Sequence, residues 1–169
     1  MPHIFINYRR ETDAYAAALL DELLSHRLGP DHVFRAGRSI APGADYTLEI
    51  ARAIASCDAM LVVVGPGWHE RIAARYPDQE DWVLYEIEKA LEEQKVIVPV
   101  LLSGTPRIRP GDLPDVVLPL ASFQYLRFDY RNTARDAAYM CEQLERRFPA
   151  RTLRSRLSAT LTPHRPRQR

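Results

Sequence analysis

Two cysteines in 169 residues, Cys57 and Cys141, are too few and too far apart for a disulfide framework or a metal cluster. They are expected as core or groove-facing thiols. No stretch approaches the roughly 18 to 20 consecutive apolar residues that a bilayer-spanning helix requires, and the Met-Pro-His start has no basic segment leading into an apolar one. A cytoplasmic protein without membrane association is the expectation. Residues 151–169 lack acidic side chains and carry six arginines (Arg151, Arg154, Arg156, Arg165, Arg167 and Arg169). Residues 1–150 therefore hold 17 basic against 22 acidic groups, although the whole chain is at +1. An acidic body over 1–148 is expected to end in a basic tail or linker over 149–169 that contains Pro163 and Pro166. Nucleic acid is not an expected partner of the body, and only the tail has the charge to meet an anionic surface.

Missing motifs exclude several chemistries. No G-x-G-x-x-G follows the first apolar run and no G-x-x-x-x-G-K-[ST] occurs anywhere, so neither a dinucleotide-binding fingerprint nor a P-loop is present. No G-x-S-x-G elbow offers a hydrolase nucleophile. A phosphoacceptor domain needs acids at the ends of its first and third strands, where this chain has Tyr8-Arg9-Arg10 and Gly65-Pro66-Gly67. The five histidines, His3, His26, His32, His69 and His164, show no metal-ligand spacing, and no metal is expected.

What is present is an alternation of apolar runs and helical patterns, in a chain whose 46% hydrophobic content supports one core. His3–Tyr8 reads as a strand. A helix from about Asp13 to Leu28 follows, with Ala16, Leu19, Leu20, Leu23 and Leu24 on one face. After Gly29-Pro30, His32–Arg35 is a short strand and Ala36–Gly43 a loop. Tyr46–Ser56 is a helix with Leu48, Ile50, Ala51 and Ile54 inward. Ala59–Val64 is apolar at every position, as a strand covered on both faces must be. Gly65–Glu80 reads as a loop, Asp81–Leu91 as a helix, Val96–Leu102 as another all-apolar strand with Pro99 in it, Gln124–Phe128 as a fifth strand and Thr133–Phe148 as the last helix. Four prolines (Pro106, Pro110, Pro114 and Pro119) make Ser103–Ser122 an irregular crossover. The order predicts an α/β fold, a flavodoxin-like, doubly wound, five-stranded parallel sheet with helices on both faces. Ligands bind such sheets outside the carboxyl ends of the strands.

One helix at that end is chemically unusual. In Asp81–Leu91 the apolar arc is Val83, Leu84, Ile87, Ala90 and Leu91, while Tyr85, Glu88, Lys89 and Glu92 face away. Glu86 belongs to neither group. It lies four residues after Trp82, so an indole and a carboxylate share one edge at the border of the buried face. An acid beside an aromatic at the margin of a core suits glycosidic chemistry.

Five segments, in order, resemble a known family. They are Phe5-Ile6-Asn7-Tyr8-Arg9-Arg10; Val33-Phe34-Arg35 with the loop that closes at Ile40-Ala41-Pro42-Gly43; Ser56-Cys57-Asp58; Asp81-Trp82-Val83 with Glu86-Ile87 and Ala90-Leu91; and Val96-Ile97-Val98-Pro99-Val100. Over about residues 2–148 the chain resembles a TIR (Toll/interleukin-1 receptor) domain of the bacterial, NAD⁺-consuming kind. The resemblance implies cleavage of the bond between nicotinamide and ribose, with NAD⁺ as substrate, no separate cofactor, and ADP-ribose or a cyclic ADP-ribose-type product. The family's catalytic glutamate falls on the W-x-x-x-E spacing of Trp82 and Glu86. Tyr8, Arg9 and Arg10 match positions near the nucleotide, where arginine pairs with pyrophosphate. Phe34 and Trp82 are expected to wall the nicotinamide-ribose pocket, and Tyr46 to stack on a base. Many relatives have an aspartate after the Val33-Phe34-Arg35 segment; Ala36 stands here, which implies a looser loop or weaker activity.

The chemistry of the bond agrees with a single carboxylate. Nicotinamide leaves as a neutral molecule from a cationic pyridinium and needs little acid assistance, unlike ordinary glycosides with their two carboxylates. The resemblance also implies self-association through loop 36–43, a role in bacterial antiphage or other innate-immune signalling, and fusion to a sensor or effector domain. Two other classes stay open. One is a non-enzymatic interaction module of the adaptor type. The other is an enzyme similar to the nucleoside 2-deoxyribosyltransferases, against which the Tyr8-Arg9-Arg10 segment speaks.

Overall fold

The computed structural model describes residues 1–149, so the expected basic tail lies, beyond residue 149, outside the described residues. Five parallel strands, β1 (Ile4–Asn7), β2 (Val33–Phe34), β3 (Ala59–Val64), β4 (Val96–Leu102) and β5 (Leu126–Phe128), form one sheet in the order β2-β1-β3-β4-β5. This is the flavodoxin-like order, and its direction of winding reverses between β1 and β3. The helices are α1 (Arg10–Leu28), α2 (Ala36–Ser39), α3 (Tyr46–Ser56), α4 (Trp68–Arg75), α5 (Trp82–Glu92) and α6 (Thr133–Arg147). The crossover after β4 is irregular, as its prolines require, with 3₁₀ turns at Pro110–Asp112 and Asp115–Ser122. No helix among the described residues is long and apolar enough to cross a membrane.

The sheet is a two-sided core because successive side chains alternate faces. In β3, Ala59, Leu61 and Val63 pack under α1 and α6 with Ala17, Leu20, Leu24, Met140 and Leu144. Met60, Val62 and Val64 pack on the other face against Ile50 and Ile54 of α3, Trp68 and Ile72 of α4, and Ile87 of α5. Every residue of β3 is buried, as its continuous apolar run predicts. Pro99 lies inside β4, opposite Val62 of β3 and one residue before pairing with β5 begins at Val100. Cys57 and Cys141 are both free and buried in these two layers.

Four sequence expectations need correction. First, α1 starts three residues earlier than Asp13, and Leu19 is exposed, because the buried face runs through Asp13, Ala17, Leu20, Asp21, Leu24 and Leu28. Two acids on the buried side hide the helical period. Second, Leu48 of α3 is exposed, and the inward face is made by Ile50 and Ile54, with Cys57 following. Third, the segment 65–80 is not all loop. The α4 helix has two buried apolar positions, Trp68 and Ile72, four residues apart, too few to show a period. Fourth, part of the 36–43 loop is the single turn α2.

Asp21 ties that loop to α1. Its Oδ2 accepts from Arg35 Nε at 2.8 Å and from Arg38 Nε at 2.7 Å, and its Oδ1 accepts from Ser25 Oγ. Arg38 also donates to the Val33 carbonyl. The carboxylate is buried while both arginines are partly solvated, so its removal strands two cations at the loop base. Asp21→Ala is expected to lower the free energy of unfolding in urea by about 1–3 kcal/mol. Amide exchange in residues 36–40 is expected to accelerate by more than that global loss requires.

Candidate active site

A cleft of about 450 Å³ opens at the carboxyl end of β1, within the size range of small-ligand sites. Its walls come from four places: Tyr8, Arg9, Arg10 and Glu11 after β1, Ala36 and Gly37 after β2, Tyr46 at the start of α3, and Arg75 with the segment Glu80–Val83 and Glu86. This is the crevice that the strand order predicts for a ligand.

The start of α5 is built by Asp81. Its Oδ1 caps the helix, accepting from Val83 N at 3.0 Å and Leu84 N at 3.4 Å, and its Oδ2 accepts from Arg9 Nη2 at 2.8 Å. Arg9 is at the N-cap of α1, and both side chains of this pair are almost fully buried. The pair joins the first turns of two helices within the cleft wall.

One turn further along α5 is Glu86. It is 6% exposed, so it is inside the cleft wall and not at the border of the buried face as expected. Burial pushes its carboxyl up to about 8, with Asp81 adding to the rise and a hydrogen bond from Asn7 opposing it. Asn7 Nδ2 donates to Glu86 Oε2 at 2.7 Å and to the Val83 carbonyl at 3.1 Å. A buried, protonatable carboxyl with one hydrogen bond in a cleft is a frequent signature of a functional site.

Aromatic rings frame the mouth. Trp82 is half-buried and meets Tyr46 edge-on, with centroids 5.4 Å apart, and Tyr85 at 5.3 Å. Trp82, Tyr46 and Glu86 therefore meet at one cleft. Tyr8 lines the wall beside the 36–37 turn, where a β-carbon at Gly37 would meet Tyr8 Oη at 3.1 Å. Arg10 is exposed at the edge of the cleft.

Two expected residues are placed differently. Phe34 stacks on Phe5 with centroids 5.0 Å apart and packs against the core, outside the cleft wall. Arg9 lines the cleft, but its guanidinium is 1% exposed and engaged with Asp81. Sequence reasoning assigned no role to Asn7, Asp81 or Arg75. Asp81 was recoverable, because an aspartate immediately before an apolar helical run is an N-cap signal. Arg75 was not, since it lies on the unforeseen α4, where it pairs with Glu11 at 3.5 Å. Among the described residues no three His, Cys, Asp or Glu side chains gather to hold a metal ion.

The chain matches the family model described as "TIR domain" over residues 4–144. No curated protein sequence matches it. Among solved structures it is similar to the TIR domains of the activated Roq1 resistosome that recognises the pathogen effector XopQ. The TM-score there is 0.58 at 17% identity, covering 87% of this chain and 99% of that one. It is similar to the TIR domain of the Toll-related receptor TRR-2 from Hydra magnipapillata, with TM-score 0.54, 20% identity and coverage of 87% and 97%. A metazoan TIR-STING receptor from C. gigas, solved with 2',3'-cGAMP, matches 83% of this chain with TM-score 0.56 and 22% identity. The chain spans only 40% of that receptor. These similarities show a shared fold, and together with the family match they establish that the chain belongs to the TIR domain family.

Proposed function

We propose that the protein cleaves NAD⁺ between nicotinamide and ribose, with Glu86 as the catalytic carboxylate, and that it is activated by self-assembly in an immune signalling pathway. The observation that carries this reading is a buried carboxylate in the wall of a cleft framed by Trp82 and Tyr46. The glycosidic bond breaks with its electron pair going to the pyridinium nitrogen, so nicotinamide leaves neutral. The positive charge passes to the ribosyl ring carbon and oxygen. Water that captures this cation and loses a proton gives ADP-ribose; capture by a ring nitrogen of the substrate's own adenine gives a cyclic product.

Glu86 supports the step electrostatically. A substrate that already carries a pyridinium charge favours the ionised carboxylate when it enters, and the charge then stays beside the ribose as the oxocarbenium forms. Poor solvation strengthens that interaction. Trp82 and Tyr46 give planar surfaces for the nicotinamide-ribose and a base, and Tyr8 lines the same wall. Arg10 and Arg75 are the cations for the pyrophosphate, since Arg9 is buried against Asp81 whereas the long, solvated pair of Arg75 with Glu11 exchanges readily for a phosphate. The solvent-exposed Tyr46 and Leu48 beside the 36–43 loop give an apolar contact for a second copy. Assembly in immunity is in keeping with the Roq1 resistosome, whose TIR domains share the fold.

Glu86→Gln is expected to lower NAD⁺ turnover by at least ~100-fold, read as nicotinamide release at a protein concentration that forces assembly. The wild-type kcat/KM is expected to rise with pH and level off above about 8, as the free enzyme's carboxyl ionises. The same substitution separates catalysis from stability. A carboxyl whose folded value of about 8 lies above the ordinary 4.5 costs the fold progressively more as pH rises between those values, and a constant amount above them. Glu86→Gln is therefore expected to match wild type in melting temperature near pH 5 and to exceed it at pH 9. No nicotinamide release from wild type, even when assembled, rejects the enzymatic reading in favour of an interaction module.

Arg75→Ala is expected to raise KM for NAD⁺ by about 10-fold and leave kcat within about two-fold, because pyrophosphate binding is equal in ground and transition states. Nicotinamide riboside, which lacks the pyrophosphate, is the control substrate. An equal loss on both substrates rejects the pyrophosphate role.

A further inference from the structure

Asn7 is the last residue of β1 and is completely buried. The two ends of its amide are chemically opposite: the nitrogen donates hydrogen bonds and the oxygen accepts them. The Val83 carbonyl can only accept, so the atom 3.1 Å from it has to be the nitrogen. That nitrogen is also the atom 2.7 Å from Glu86 Oε2. The main chain of α5 thus dictates which end of Asn7 meets the carboxyl group carried by the same helix.

We propose that Asn7 is the positioning residue of this site: it holds the Glu86 side chain against the end of β1 and presents it with a donor that only the charged carboxylate fully uses. The catalytic meaning of this arrangement rests on the NAD⁺-cleaving reading of Glu86, whereas the coupling of Asn7 to Glu86 does not. Asn7 Oδ1 is buried without a partner among the described residues. An apolar side chain of similar size would avoid that cost, so packing alone gives no reason for an amide here.

The other groups around Glu86 do not substitute for it. Asp81, on the same helix, opposes ionisation, and Arg9 from the start of α1 is engaged with Asp81. Tyr8, Arg10, Arg75 and Glu80 line the cleft, and Tyr46 stands at the start of α3, but none donates a hydrogen bond to the Glu86 carboxyl among the described residues. The neighbouring strand β4 is apolar throughout, and the 115–122 turns bring only the exposed Asp115. Burial alone drives the carboxyl toward its neutral form, and the Asn7 donor is the interaction that opposes this, leaving it at about 8.

The test is a pH titration of Glu86 by carboxyl-carbon NMR on the full chain labelled with ¹³C-glutamate, in wild type, Asn7→Leu and Asn7→Asp, with thermal melting to show that each is folded. Asn7→Leu is expected to move the Glu86 midpoint alkaline by roughly one unit, a tenfold change in proton affinity, and Asn7→Asp by more. The rising limb of kcat/KM against pH is expected to move with it, so turnover lost at pH 7 returns under alkaline conditions. An unchanged Glu86 midpoint in folded Asn7→Leu overturns the proposal, and so does a rate loss that is uniform across pH. Where Asn7→Leu does not fold, Asn7→Ala, which likewise offers Glu86 no donor, is held to the same outcomes. A wild type that releases no nicotinamide but keeps the Asn7-dependent midpoint rejects the NAD⁺ reading and supports the coupling.

Discussion

The ion pair of Arg9 with Asp81 is the constraint on which the site depends. Both side chains are withdrawn from water, and either alone would be an uncompensated buried charge. Each also stands at the N-cap of a helix, Arg9 at α1 and Asp81 at α5, so the pair fixes the relative position of two helix starts on opposite faces of the sheet. Asp81 does this while capping α5 with its second oxygen. A buried pair of this kind adds little net stability compared with apolar packing, and its contribution is to specify one arrangement. Here that arrangement places the first turn of α5, and with it Glu86, against the end of β1.

The same geometry creates an opposing demand. The position that puts Glu86 beside Asn7 also takes it out of water and next to the negative charge of Asp81. A carboxyl in these surroundings works against the fold whenever it ionises. The protein holds a group at its cleft that would be better solvated elsewhere, which is the kind of local cost that functional sites carry and surrounding packing offsets. Two hydrophobic layers supply that packing, through Ile87 and Ala90 beneath the helix and the fully buried β3 beside it.

The parts of the fold visible in the sequence are those where burial is uniform or strictly periodic. Ala59–Val64 and Val96–Leu102 match their strands because every position, or nearly every one, is apolar. Tyr46–Ser56 matches α3, with Asp45 as its N-cap and Ile50 and Ile54 one turn apart. What was not visible follows from polar groups in buried places. Asp13 and Asp21 interrupt the apolar face of α1, and α4 buries only Trp68 and Ile72. The site shows the same division. Glu86, Trp82, Tyr46, Tyr8 and Arg10 were legible as a constellation and meet at one cleft, whereas Phe34, apolar and next to the loop, joins Phe5 instead. A ring at a strand end has two faces to choose from, and the residue sequence alone does not say which neighbour it will stack on. Asn7 was hidden for a related reason, since the partner that gives it meaning lies 79 residues away.

The alanine after Arg35 has a different consequence from the one the family resemblance implies. A missing acid at position 36 would leave the loop untethered only if that acid were its anchor. In this chain the anchoring carboxylate comes from Asp21 on α1, which takes Arg35 and Arg38 together, while Arg38 reaches on to the Val33 and Pro30 carbonyls. Two cations on one buried carboxylate make the turn α2 an extension of the α1 surface. Ala36, with no side chain beyond its β-carbon, then leaves space in the cleft where it lines the wall next to Gly37 and Tyr8. An acid there would stand in the same cleft as Glu86, Asp81 and Glu80, and would disfavour ionisation of Glu86 further. With Ala36, loop order depends on Asp21 and the charge balance of the cleft on Arg10 and Arg75, so a change in one leaves the other in place.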